Sequence, residues 1–261
     1  MATVHTAAGA IGFLEAGSGG VPLVLLHGVG SDKSVWRPQL DEFGAARRTL
    51  AFDYPGYGDS APQPGATRDT YATALWAALD GLGVGTAHLC GLSLGGIVAI
   101  AMHAQAPERC ASVILADTFA VHPDGQAIYD RSVDASRTIG MRELAKARID
   151  HLLAPGASLE LRRELIETMA LIDPASYELG AAAVWLADQR EQVTPIRCPT
   201  LILCGSEDRI TPPTLSEELK DRLPHATLVE IAGAGHLPNV EQPAIFNRVL
   251  AAFLAGAEAN S

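Results

Sequence analysis

Short apolar runs alternate with helix-period stretches along most of the 261 residues, and this order restricts the fold more than any other feature of the chain. Residues 21–26 (VPLVLL), 87–91 (AHLCG), 111–116 (ASVILA) and 200–205 (TLILCG) are apolar almost throughout, as strands covered on both faces should be. Residues 48–53 and 227–231 add two further strand-like runs. Stretches 70–82, 94–105, 213–223 and 243–254 carry helical spacing. Strand followed by helix, repeated, predicts an α/β fold: a mostly parallel central sheet with right-handed crossovers and helices on both faces. Residues 3–16, punctuated by Gly9 and Gly12, are expected to form a hairpin at one edge.

One region interrupts the alternation. Residues 120–195 contain no convincing strand, and 142–153, 159–171 and 176–190 read as helices separated by Pro155-Gly156 and Asp173-Pro174. The expected organisation is a core domain from 1–119 and 196–261, with 120–195 inserted as a helical cap over a site. Residues 256–261 are expected to fray.

The strongest local motif is Gly91-Leu92-Ser93-Leu94-Gly95, placed between a strand and a helix. That context is required of a nucleophile elbow, a strained turn that holds a serine hydroxyl above the sheet. A serine hydroxyl needs a positioned base. Two later strand ends supply partners: Asp208 in Gly205-Ser206-Glu207-Asp208-Arg209, and His236 in Gly233-Ala234-Gly235-His236-Leu237-Pro238. The reading assigns Ser93 as nucleophile, His236 as base and Asp208 as the acid that orients the ring, with Glu207 as the rival acid. A tetrahedral oxyanion needs N–H donors, each worth roughly 3–4 kcal/mol. Leu94, after the nucleophile, and Val29, in the loop His27-Gly28-Val29-Gly30, are the expected pair. His27 is expected to brace that loop, and Asp53–Ser60 to be scaffold beneath the site.

Composition sets outer limits. The net charge of -11 and the absence of a basic stripe argue against nucleic acid or an anionic membrane as partner. No apolar run reaches membrane-spanning length and the first residues lack a basic region, so a cytoplasmic location without signal peptide or span is expected. Cys90, Cys110, Cys198 and Cys204 have no zinc-ligand or redox spacing and are expected to be free thiols. Neither a metal nor a cofactor is expected, and homo-oligomerisation is left open.

Together the His-Gly loop, Asp53–Ser60, Gly91–Gly96, Gly205–Asp208 and Gly233–Asn239 resemble the α/β-hydrolase superfamily over essentially the whole chain. Within it, Cys90–Gly96, Leu186-Ala187-Asp188-Gln189-Arg190-Glu191 and His236–Pro243 are most similar to 3-oxoadipate enol-lactonases and related lactonases and esterases. Leu94 departs from the methionine frequent at that position in those enzymes. The resemblance implies cofactor-free cleavage of a small ester or lactone through an acyl-enzyme. It leaves room for carbon–carbon hydrolases and perhydrolases of the same fold. Epoxide hydrolases and dehalogenases carry a carboxylate where Ser93 stands. The stretch His27–Trp36 is also similar to hydrolase-fold small-molecule receptors and signalling regulators. Enol-lactonase substrates carry a carboxylate, so a cap cation is expected to enter the site; Arg131, Arg137, Arg142, Lys146 and Arg148 are the candidates, against the alternative of a solvated helix face.

Overall fold

The computed structural model describes residues 2–259. Eight strands form one sheet: β1 Ala2–Thr6, β2 Gly9–Ala16, β3 Leu23–Leu26, β4 Thr49–Phe52, β5 Ala87–Leu92, β6 Cys110–Ala116, β7 Thr200–Gly205 and β8 Thr227–Ile231. Their spatial order is β1-β2-β4-β3-β5-β6-β7-β8. The β1–β2 hairpin is antiparallel and joins β4 antiparallel, while every other pairing is parallel. The helices outside the stretch between β6 and β7 are α1 Arg37–Phe43, α2 Arg68–Gly81, α3 Leu94–Gln105, α9 Pro213–Arg222, α10 Pro238–Glu241 and α11 Pro243–Ala259. Between β6 and β7 lie α4 Gly125–Thr138, α5 Gly140–Leu152, α6 Leu159–Ala170, α7 Pro174–Trp185 and α8 Arg190–Val193.

Side-chain alternation along the central strands divides the interior in two. In β3, Val24 and Leu26 enter a core shared with Leu75, Ile97 and Val98 of α2 and α3. Leu23 and Leu25 point the other way, into a core shared with Leu40 of α1 and Phe246 and Leu250 of α11. A period of two therefore serves two buried faces, which explains why these strands read as unbroken apolar runs.

Three features differ from the sequence expectation. α4 is a helix that the sequence reading did not name; it presents mostly polar residues, and Gly140 at φ 76 ends it against α5. The expected helix 176–190 stops at Trp185, because Gln189 turns its backbone N–H to the Ala120 carbonyl (2.8 Å) and its side chain to the Ile97 carbonyl (2.8 Å), and Val121 bridges Asp188. The expected frayed tail is helical through Ala259, where Glu258 pairs with Arg47 and His88; residues 260 and 261 of that expectation lie outside the described residues. Among the described residues, no helix is long and apolar enough to cross a membrane.

Candidate active site

The turn between β5 and α3 is strained at one residue. Ser93 has φ 55 and ψ −116, a region that L-residues with a Cβ rarely occupy. Its neighbours leave no room for side chains: a Cβ on Gly91 would meet Gly95 O at 2.1 Å, and one on Gly95 would meet Leu26 O at 2.0 Å. The strain is held by the surrounding backbone, since Ser93 N donates to Ala116 O (2.9 Å) and Ser93 O accepts from Thr118 Oγ1 (2.9 Å). Leu94, the first residue of α3, has no carbonyl one turn back to receive its N–H.

The loop after β3 runs beside this turn. A methyl group on Gly28 would lie 3.5 Å from Ser93 Cβ, and Val29 is buried. His27 is fully buried, with Nδ1 2.8 Å from Gly28 O, and its ring packs 4.4 Å from that of Tyr54, whose hydroxyl donates to His27 O. Burial lowers its pKa and keeps the ring neutral, so Nδ1–H donates to the Gly28 carbonyl. Asp53 secures the outer end of the loop: its carboxylate accepts from Lys33 N (2.9 Å) and Asp59 N (2.9 Å) and pairs with the Lys33 ammonium.

Asp208 and His236 come together after the ends of β7 and β8. His236 Nδ1 lies 2.8 Å from Asp208 Oδ2. Asp208 Oδ1 accepts from Ile210 N (2.7 Å) and Thr211 N (3.0 Å), and Oδ2 accepts from Thr211 Oγ1 (2.6 Å). Burial works against the Asp208 charge, but the His236 ring and these donors outweigh it and hold the carboxyl below its usual range. Glu207, one residue earlier, is exposed. Ser93, His236 and Val29 line one cavity of about 40 Å³ together with Arg148, Leu165 and Met169. Among the described residues, no hydrogen bond joins Ser93 Oγ to the imidazole, a contact that often tightens only when substrate binds.

Of the five cap cations considered from the sequence, Arg148 lines this cavity. Arg137, Arg142 and Lys146 form ion pairs with Glu178, Glu167 and Glu143 at the exposed helix faces, and Arg131 borders a neighbouring hollow. Arg148 donates to the Tyr177 hydroxyl (2.5 Å).

Three contributors escaped the sequence reading. Thr211 supports the acid, as described. Glu241 accepts from Gly235 N (3.0 Å), Leu237 N (3.1 Å) and Ala154 N (2.7 Å), tying the histidine loop to the end of α5; His236 N also donates to Leu152 O (2.7 Å). Asp117, at the end of β6, is fully buried with φ 45. Its Oδ1 accepts from Gly205 N (2.8 Å), whereas Oδ2 has no protein partner. Ligating atoms of Asp117, Asp208 and His236 lie within 4.8 Å of one another. Complete burial, reinforced by the Asp208 charge, holds the Asp117 carboxyl well above its usual range and favours its protonated form. Two carboxyls and an imidazole could in principle ligate a cation, but Asp208 Oδ2 already accepts from Thr211 and His236.

The four cysteines are free, with Cys90, Cys110 and Cys204 buried; burial pushes the Cys110 and Cys204 thiols up to about 12, which removes them as competing nucleophiles.

A sequence model of the "Alpha/beta hydrolase family" matches residues 23–249. The chain is 30% identical over 236 residues to 3-oxoadipate enol-lactonase 2 of Acinetobacter baylyi, covering 89% of this chain and 88% of that one. Among solved structures, a thermophilic esterase from Thermogutta terrifontis with malate bound superposes with a TM-score of 0.90 at 29% identity, covering 98% of both chains. The enol-lactonase from Burkholderia xenovorans gives a TM-score of 0.90 at 25% identity, over 97% of this chain and 100% of that one.

Proposed function

The chain belongs to the alpha/beta hydrolase family, and from that premise we propose that it cleaves a small carboxylic ester or lactone through an acyl-enzyme on Ser93. The observation that carries this reading is the convergence of the strained Ser93 and the Asp208-bound His236 on one cavity. In this account His236 takes the Ser93 proton through Nε2 as Oγ attacks the carbonyl carbon. Asp208 fixes the tautomer with the proton on Nδ1 and favours the imidazolium that forms. The N–H groups of Val29 and Leu94 receive the oxyanion, with the positive end of α3 adding to them. Collapse breaks the carbonyl carbon–oxygen bond, and His236 returns its proton to the leaving alkoxide or enolate. Water then attacks the acyl-enzyme, giving its proton to the same ring, and Ser93 is released with the carboxylic acid. In a lactone the leaving hydroxyl stays tethered to the acyl group.

Two further features support the reading. The helices between β6 and β7 act as a cap: α5 and α6 supply Arg148, Leu165 and Met169 to the cavity and so exclude water from the intermediate. The relatives named above include both an enol-lactonase and an esterase, the two substrate classes of this reading.

The test is steady-state hydrolysis of short p-nitrophenyl esters, simple lactones and a carboxylated enol-lactone. Turnover is expected on at least one class, with Ser93→Ala slower in kcat by about 10⁶-fold, the scale of a lost serine nucleophile. Unchanged turnover in Ser93→Ala would remove the proposed nucleophile. The preferred substrate separates esterase from lactonase.

A further inference from the structure

Gly30 ends the loop that carries Val29, yet its backbone does not take the left-handed conformation that demands glycine. What excludes a side chain there is Met169. A Cβ on Gly30 would stand 3.2 Å from the Met169 Sδ, with Cγ and Cε at 3.8 and 3.9 Å. The thioether therefore lies across the loop at this glycine. Met169 is buried and sits one turn beyond Leu165 on the same face of α6. Both side chains line the cavity at Ser93 and His236, where Ala145 and Ile149 of α5 and Leu237 add further apolar wall. Arg148, the cation of that lining, donates to the Tyr177 hydroxyl. The cavity holds about 40 Å³. One water-sized group needs about 10–15 Å³ of such volume, so the space takes about three small groups. A leaving group has to reach solvent, so this enclosed volume falls to the acyl chain that stays on the serine.

We infer that Met169, together with Leu165, sets the acyl-chain limit of the reaction, closing the pocket at an unbranched acyl group of about two to four carbons. This rests on the reading of Ser93 as nucleophile and adds the size of the group that the serine carries. The two ends of the contact explain each other. Glycine at position 30 lets the methionine lie against the loop, and the methionine then fills the volume that a longer chain needs. An unbranched thioether suits such an irregular gap. A longer acyl chain has to displace Met169 or Leu165, and a methylene that an apolar pocket cannot house lowers kcat/KM by roughly tenfold or more.

The experiment measures kcat/KM on p-nitrophenyl acetate, butyrate, hexanoate and octanoate, with Ser93→Ala as the control for the nucleophile. Wild type is expected to use acetate and butyrate and to fall by about tenfold or more at hexanoate. Met169→Ala should raise the hexanoate-to-acetate ratio by about tenfold, and Leu165→Ala should raise it as well. Ala145→Val narrows the same space and should move the limit below butyrate, so the test survives if one widened variant fails to fold. Leu171→Ala, just past α6 with its side chain in solvent, should leave the profile unchanged. A flat chain-length profile, or one indifferent to Met169 and Leu165, overturns the inference while turnover still depends on Ser93; turnover that persists in Ser93→Ala removes the nucleophile instead. Saturation-transfer NMR on Ser93→Ala reads the cavity without chemistry. Ethyl butyrate is expected to bind, and ethyl octanoate to bind only when Met169→Ala is added. Equal binding of octanoate with Met169 in place, or binding of neither ester, overturns the inference.

Discussion

Asp208 and Glu207 are adjacent in sequence, yet their surroundings differ completely. Asp208 is buried under three donors and the imidazole, while Glu207 stands in solvent. Asp208→Asn is therefore expected to lower kcat by about 10⁴-fold, because the amide favours the wrong histidine tautomer, while Glu207→Gln stays near wild type. Kinetics on any accepted substrate decide it, and the reverse ranking would move the acid to Glu207. Asp117 lends itself to a different test. Its raised folded-state pKa means that the folded protein holds a proton the unfolded chain releases. Stability should then fall as pH rises from the ordinary carboxylate value toward the folded value. Asp117→Asn supplies a neutral donor toward Asp208 and removes that slope, so it should be more stable than wild type at pH 7 and no more stable below about pH 4, where an ordinary carboxyl is protonated. Urea denaturation across pH reads this directly; a variant destabilised at pH 7, or one that keeps the wild-type slope, would contradict the raised carboxyl. The triad candidates were legible because each sits in a glycine-marked turn after a strand. Asp117 was not, since Ala116-Asp117-Thr118 looks like any strand end until the fold sets Asp208 beside it.

At the scale of elements, the histidine loop depends on one side chain. Glu241, from α10, satisfies three backbone N–H groups, two in the loop and one just past α5. Glu241→Gln offers one acceptor oxygen in place of two and turns an amide toward those donors. A loss of about 2 kcal/mol is expected, the scale of hydrogen bonds to a charged acceptor, together with a fall in kcat larger than any change in KM. Denaturation and kinetics on the same sample check both; intact stability and kcat would show that the loop holds its shape without this clamp. Beyond His236 itself, the sequence marked this segment only by resemblance, because a carboxylate six residues from the first N–H that it accepts leaves no periodic trace. The same limit hid α4. Its inward face mixes Ile128, Tyr129 and Val133 with serines, a short stripe among many polar residues, and packing against α7 and α5 completes it. The end of α7 was hidden too, since the bonds of Gln189 to Ala120 and Ile97 are long-range.

For the molecule as a whole, the α/β class and parallel core were legible because buried strands with two apolar faces leave continuous runs such as residues 21–26 and 200–205. The order of those strands in space was not, since it rests on pairings such as Leu25 with both Ala51 and Cys90. Sheet, elbow and cap together support one central claim: a carbonyl is attacked by Ser93 and held there as an ester. The most direct measurement is rapid mixing with p-nitrophenyl acetate, acid quench, and mass spectrometry of the intact chain and its peptides. The account predicts an acetyl adduct on the peptide containing Ser93, absent in Ser93→Ala and formed far more slowly in His236→Ala. Turnover of that ester with the adduct on another residue, or with an adduct that persists in Ser93→Ala, would contradict it.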